Sequence, residues 1–124
     1  MSNPGFTKTY TAQGAIAGRR FIVHGTADRH VAQAAAGGAC ILGVNERLDV
    51  VDGERVDVIK GGLAEIEYGG VITRGDPLTA DADGKAVKAD PAAGANIHIG
   101  GWAEISGAAG DFGLVNIASA RIQG

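Results

Sequence analysis

Turn residues divide segment 69–89 into apolar runs that are too short to form helices. Gly75-Asp76-Pro77 follows the first run, and Pro77 fixes its own backbone angle and lacks an amide donor. Asp83-Gly84 follows the second run and is among the strongest local signals for a tight hairpin. The segment therefore predicts two successive hairpins.

The same alternation of β-favouring runs and turn residues continues along the chain, with turn signals about every eight to twelve residues. Glycine is abundant, at 21 of 124 residues, and is spread among Val and Ile runs as turns and bulges require. We predict a single all-β domain with at most one or two helical turns, and residues 31–36 suit either a helical turn or a strand. The predicted strands are 21–23, 39–44, 55–60 (ended by Gly61-Gly62), 63–68, 97–105 and 112–118.

The N-terminal residues form a separate pattern. Residues 1–5 contain little that could pack, whereas residues 6–10 alternate, with Phe6, Lys8 and Tyr10 on one side and threonines on the other. This string favours β structure but contains few aliphatic side chains. It is predicted to be either an edge strand of its own domain or an arm that pairs with a neighbouring molecule.

Charge and cysteine content limit the function classes. A net charge of −3, a pI near 5.5 and scattered basic residues provide no basic face for nucleic acid. No signal peptide or apolar run of membrane-spanning length is visible, so we expect synthesis in the cytoplasm and no membrane partner. The single Cys40 cannot form an internal disulfide, and its place in an apolar run predicts a buried, inert thiol.

Residues that could carry chemistry do not form a recognisable motif. His24, His30 and His98 match no zinc spacing, and we expect them to be surface or core histidines. Asp81-Ala82-Asp83 resembles the start of a calcium loop, but Ala92 stands where the bidentate Glu should be. Arg74-Gly75-Asp76 is an adhesion-like string that the predicted turn explains. We therefore predict no catalytic residue, cofactor or metal.

Several segments resemble the capsid cement, or head decoration, proteins of tailed bacteriophages. The ending resembles that family's glycine-rich pattern, with Gly101-Trp102-Ala103-Glu104 followed by Gly110-Asp111 and Val115. The resemblance covers most of residues 15–117 and consists of turn glycines and small residues rather than an active-site signature. The other segments that carry it are 41–44, 56–58 with Gly61, 70–78 and 81–86.

The resemblance implies a β-barrel or β-tulip-like domain at 14–124 and an N-terminal arm at 1–13. It implies a homotrimer on the outer surface of the phage head, at or near three-fold positions, that stabilises the lattice of its partner, the major capsid protein. An arm in this family would add a strand to a capsid protein sheet. The implied capsid-contact residues are Phe6, Thr7, Lys8, Thr9, Tyr10 and Thr11. Leu63, Ile66 and Trp102 are candidates for the trimer interface.

Two other function classes remain open from the sequence. A small β carbohydrate-binding module would need aromatic platforms, for which Tyr10, Tyr68 and Trp102 are the polar-tipped candidates. A metal-dependent enzyme would use His24, His30 or His98. We expect a non-enzymatic virion protein, and specific sugar retention or stoichiometric metal would support the alternatives.

Overall fold

The computed structural model describes residues 3–45 and 48–124, which form nine β-strands and no helix. The all-β prediction is therefore confirmed. The strands are β1 (Asn3–Ala12), β2 (Arg20–His24), β3 (His30–Gln33), β4 (Ile41–Asn45), β5 (Arg55–Glu67), β6 (Pro77–Ala80), β7 (Ala86–Lys88), β8 (Asn96–Ala103) and β9 (Phe112–Gln123).

A closed barrel occupies the N-terminal half of the sheet. The strand order is β1-β3-β2-β4-β5-β9-β8-β6-β7, and an additional pairing of β1 with β5 closes the first five strands into a ring. Closure removes most of the exposed strand edges that an open sheet would leave. Because β5 is long, it belongs both to the barrel and to the sheet that continues through β9.

The alternation of side chains along the shared strands produces two cores. One core fills the barrel and includes Tyr10, Ile22, Val31, Val56 and Val58. The other lies between the outside of the barrel and the remaining strands; it includes Phe21, Val44, Ile66, Tyr68 and Leu78. Neighbouring residues of one strand, such as Phe21 and Ile22, therefore enter different cores, as the period of two in a strand requires.

The N-terminal segment is a strand of the chain's own sheet. β1 runs antiparallel to β5 from the Asn3–Leu63 pair to the Thr11–Arg55 pair, and its end pairs in parallel with β3. Tyr10 and Ala12 are buried in the barrel core. Of the two predicted alternatives for residues 6–10, the structure thus shows the intrachain strand, and the described residues 3–12 belong to the same sheet as the strands that follow.

The second of the two predicted hairpins is present, and the first is not. β6 and β7 pair around a turn in which the Asp81 carboxylate accepts hydrogen bonds from the amides of Asp83 and Lys85, at 2.8 and 2.9 Å. Gly84 adopts a φ of 76°, which favours glycine. The prediction of a hairpin before β6 was wrong because Ile72 pairs with Gly107 instead.

The glycine pair 61–62 does not end a strand, contrary to the sequence prediction. β5 continues through it to Glu67, and Gly62 adopts a φ of 78°. Register shifts in the β1–β5 pairing lie beside these glycines, so the irregularity is absorbed as bulges while the ladder continues. The predicted segment 55–60 and residues 63–67 of the predicted segment 63–68 are thus parts of one strand that contributes to both cores.

Three smaller predictions also receive an answer. Residues 31–36 contribute a short strand, β3, rather than a helical turn. β9 extends beyond the predicted end at residue 118, to Gln123. The prediction that Cys40 is buried was wrong: β4 begins one residue later, and the exposed Cys40 thiol lies 3.3 Å from the Ser119 hydroxyl.

Candidate functional site

One edge of β1 is open over most of its length. Thr11 donates its backbone N–H to the Arg29 carbonyl on the β3 side, at 2.8 Å. Because backbone groups of alternate residues point to alternate sides of a strand, Thr9 and Thr7 point the same way. Within the described residues, β3 reaches only Thr11 and Ala12. The N–H and C=O groups of Thr7 and Thr9 therefore face outward, and no strand of residues 3–45 or 48–124 pairs with them.

The side chains of Lys8, Tyr10 and Lys60 meet beside this edge. Lys60 donates to the Tyr10 hydroxyl at 3.0 Å. The Lys8 and Lys60 ammonium groups lie 5.2 and 5.7 Å from the centroid of the Tyr10 ring, within the range of a cation–π interaction. Among the described residues, no carboxylate lies within salt-bridge distance of either lysine. We call Lys8, Tyr10 and Lys60 the lysine–tyrosine cluster.

The Asp57 carboxylate lies on the other face of the same strands, where it is hydrogen-bonded within the chain. Thr9 pairs directly with Asp57 across the β1–β5 ladder, and the Thr9 hydroxyl donates to the Asp57 carboxylate at 2.6 Å. Asp57 therefore lies opposite the lysine–tyrosine cluster rather than beside it. Phe6 lies two residues before Lys8 in β1 and is 58% exposed. The described part of β1 thus presents one cationic and apolar face and one polar face.

The three residues predicted for a trimer interface do not share one environment. Leu63 and Trp102 pair with the same β9 residue, Asn116, from opposite sides, so they share the outer face of the sheet. Trp102 is 41% exposed and Leu63 is half-buried. Ile66 is 0% exposed and packs in the core of its own chain. Leu63 and Trp102 thus remain candidates for a subunit contact. The prediction for Ile66 was wrong, because its side chain is buried within its own chain.

The outer face also contains apolar residues that the sequence reasoning missed. Pro77 pairs with Trp102, and half-buried Leu114 lies two residues before Asn116 on β9. Their sharing of a face follows from strand register, which the sequence alone does not provide. Phe112, at the start of β9, is 55% exposed and packs under the Arg19 guanidinium, 4.5 Å from its ring centroid. We call Leu63, Pro77, Trp102, Leu114 and Asn116 the outer patch.

An ion-pair network joins the barrel to the remaining strands. The Glu67 carboxylate accepts from Arg20 of β2 at 2.9 Å and lies 3.1 Å from the Lys85 ammonium in the β6–β7 turn. Burial alone would raise the pKa of Glu67, but the hydrogen bond from Lys85 and the charges of Arg20 and Lys85 outweigh it and lower the pKa. The network therefore stabilises the charged form of Glu67 and ties three elements together.

The histidine and aromatic candidates for other functions are dispersed. His24 is exposed, while His30 and His98 are half-buried on β3 and β8. In residues 3–45 and 48–124, no group of three His, Cys, Asp or Glu side chains could hold a metal ion. Tyr10 and Tyr68 are buried, which leaves Trp102 as the exposed member of the three aromatics predicted for a sugar platform.

The adhesion-like string is used for structure. The Asp76 carboxylate accepts a hydrogen bond from the Thr73 amide at 2.9 Å, and Gly75 adopts a φ of 92°. The Asp76 carboxylate thus caps the turn that precedes β6. Within the described ranges, no helix is long and apolar enough to cross a membrane.

The fold and its surfaces define a β-barrel domain that offers a strand edge and an outer patch for association. The chain belongs to the phage cement protein family, whose profile matches residues 2–117. The predicted family is therefore confirmed, and membership gives the chain a structural role in the phage capsid as a component of the virion. Comparison with curated protein sequences yields no match.

A solved structure shares this fold. The N base of the head fiber protein gp8.5 of bacteriophage phi29 superposes with a TM-score of 0.68 at 20% sequence identity. The superposition covers 96% of this chain and 98% of the phi29 chain. Similarity over nearly the whole of both chains shows that the two share the barrel and the strands beyond it as one fold.

Proposed function

We propose that this chain is a cement protein that decorates the outer surface of the phage head at or near three-fold positions and stabilises the lattice of the major capsid protein. β1 provides the capsid contact, through Phe6 to Thr9. The other two expected contact residues lie elsewhere, because Tyr10 is buried in the barrel core and Thr11 pairs with β3. The observation that carries the proposal is the open edge of a strand that is already paired within the barrel, beside exposed Phe6. A strand held in a barrel can bind a neighbouring protein without ordering first, so more of the contact energy contributes to affinity.

The proposed assembly is a homotrimer in which the outer patch forms part of the subunit interface. Leu63 and Trp102 lie on one face, on either side of Asn116 in β9, so a neighbouring subunit would cover both together. Trp is enriched among the residues that dominate interface energetics. Three capsid-contact strands on one rigid trimer would also make the second and third contacts intramolecular, which raises avidity without new contacts.

Binding to heads that lack cement protein tests the proposal. Purified chain is added to unexpanded and expanded heads assembled from the major capsid protein of the phage that encodes it, and bound protein is measured after sedimentation. We expect saturable binding, with an increased resistance of the decorated heads to heat or osmotic rupture. Absence of saturable binding to either head form would refute the proposed function.

Cryo-electron microscopy of the decorated heads tests the position. Density for three copies around each three-fold or quasi-three-fold axis is the expected result. Density confined to other positions would contradict the proposed placement while leaving a structural role intact. Light scattering of the free protein at several concentrations tests whether the trimer forms before attachment.

A further inference from the structure

The lysine–tyrosine cluster and the open edge of β1 lie on the same part of the strand. Lys8 is in β1 between Thr7 and Thr9, whose backbone groups face outward, and Lys60 is in the adjacent strand β5. An added strand at this edge would align with Thr7 and Thr9 through main-chain hydrogen bonds. One face of that added strand would then pass beside Lys8 and Phe6.

The charge of the cluster selects the chemistry of the added strand. Two ammonium groups are held beside one buried ring, and within the described residues neither has a carboxylate within salt-bridge distance. Asp57 is engaged by Thr9 on the opposite face. A partner carboxylate on the cluster face would relieve the repulsion between the two lysines and form charge-assisted hydrogen bonds.

We infer that the open edge of β1 receives an extended, acidic segment of the major capsid protein, with a carboxylate bound by Lys8 and Lys60 and an apolar side chain against Phe6. This inference rests on the proposed function. It differs from docking by a flexible arm because the receiving strand is already part of the barrel wall, with Tyr10 fixed in the core.

The Thr9→Pro variant tests strand addition at the edge without removing a hydrogen bond that the fold uses. The Thr9 amide points away from β5, so Thr9→Pro removes a donor that the fold does not use, and proline is tolerated on such edges. Thr9→Ala is the matched control, since it loses the hydroxyl bond to Asp57 but keeps the amide. We expect Thr9→Pro to abolish saturable head binding while Thr9→Ala retains it.

A second pair of variants tests the acidic partner independently. Lys8→Gln with Lys60→Gln keeps side-chain length and polarity, and Lys88→Gln removes one charge from an exposed side chain on β7. We expect the double variant to bind heads roughly tenfold more weakly, about threefold for each lost charge pair. Its binding should also depend less on salt than wild-type binding between about 0.05 and 0.5 M NaCl. Lys88→Gln should bind as wild type does.

The outcomes distinguish this inference from the proposed function on which it rests. If wild type binds heads and both Thr9→Pro and the lysine double variant bind equally well, the inference is overturned and the proposed function stands. If wild type does not bind heads, both fail together. If Thr9→Pro instead reduces the solution mass, the edge joins copies of this chain, which also overturns the inference. Thermal unfolding of each variant tests whether it is folded. If Thr9→Pro does not fold, the lysine double variant still tests the inference.

Discussion

Gly113→Ala should strongly destabilise the domain because the Tyr68 ring occupies the space of the missing side chain. Gly113 is in β9, and a Cβ built on it would overlap the ring and hydroxyl of Tyr68. Tyr68 has no exposed surface, and its hydroxyl donates to the Ile105 carbonyl at 2.6 Å. On its other side, a Cβ at Gly107 would lie 2.8 Å from the same ring. The ring is therefore held between two glycines.

The expected cost follows from these contacts. Adding a methyl group to a well-packed core costs about 1–3 kcal/mol. Moving the ring away from Gly113 also weakens the hydrogen bond to Ile105, which contributes about 1 kcal/mol. We therefore expect Gly113→Ala to lower the free energy of unfolding by about 2–4 kcal/mol. With an m-value of about 1–3 kcal/mol per molar urea, the midpoint of urea unfolding should fall by at least about 0.7 M.

Gly61→Ala is the matched control in the other long strand. A Cβ there would lie 3.7 Å from the Cβ of Phe6, an ordinary van der Waals contact, and its expected effect is within about 0.5 kcal/mol. Tyr68→Phe added to Gly113→Ala should cost less than the sum of the single changes, since both disturb the same ring. Equal midpoints for Gly113→Ala and Gly61→Ala would refute the reasoning.

Three further predictions concern charge, assembly and the N-terminal strand. Glu67→Gln should lower the free energy of unfolding at pH 7 by about 1–2 kcal/mol. Because the folded pKa of Glu67 is lowered, its contribution is present above the unfolded pKa and is lost as pH falls through the folded pKa, so urea midpoints of wild type and variant should converge in acid. Leu63→Glu with Trp102→Glu should reduce the light-scattering mass from three chains to one, whereas exposed Val71→Glu should not; unchanged mass in the double variant would contradict the interface. Deleting residues 1–13 should abolish cooperative thermal unfolding, because it removes Tyr10 from the barrel core and opens the ring, and a folded deletion variant would contradict that role.

Local turn chemistry made much of the fold predictable from the sequence. Asp83-Gly84 marks the β6–β7 turn because Gly84 adopts the positive φ that the turn needs, and the nearby Asp81 carboxylate accepts two of its backbone amides. The same reasoning failed at the glycine pair 61–62, where neighbouring strands hold β5 together through the irregularity. Glycine indicates where a backbone can bend, but only tertiary pairing decides whether a strand ends there.

The candidate surfaces were predictable in part. Alternation along a strand places Leu63 and Ala64 on opposite faces, and in the structure Leu63 is half-buried whereas Ala64 is buried. The same alternation places Ile66 on the face of Ala64 and opposite Leu63, so Leu63 and Ile66 could not both belong to one interface; the structure buries the Ile66 face. The role of Asn116 between Leu63 and Trp102 was beyond sequence reasoning, since it depends on the registers of two separate strand pairs. Lys60 was missed for the same reason, because its meeting with Tyr10 is a long-range contact.

The unusual composition of β1 reflects its two positions in the fold. Tyr10 and Ala12, near its end, are buried and complete the barrel core, whereas no described strand pairs with the outward edge of Thr7 and Thr9. An exposed edge with aliphatic side chains would invite indiscriminate pairing with other chains. Threonines and a lysine retain the β-strand backbone while disfavouring apolar partners. Lys8 and Lys60, which have no carboxylate within salt-bridge distance among the described residues, favour an acidic one. The scarcity of aliphatic residues made the role of this segment ambiguous in the sequence. The same scarcity is consistent with an edge that pairs with one kind of partner.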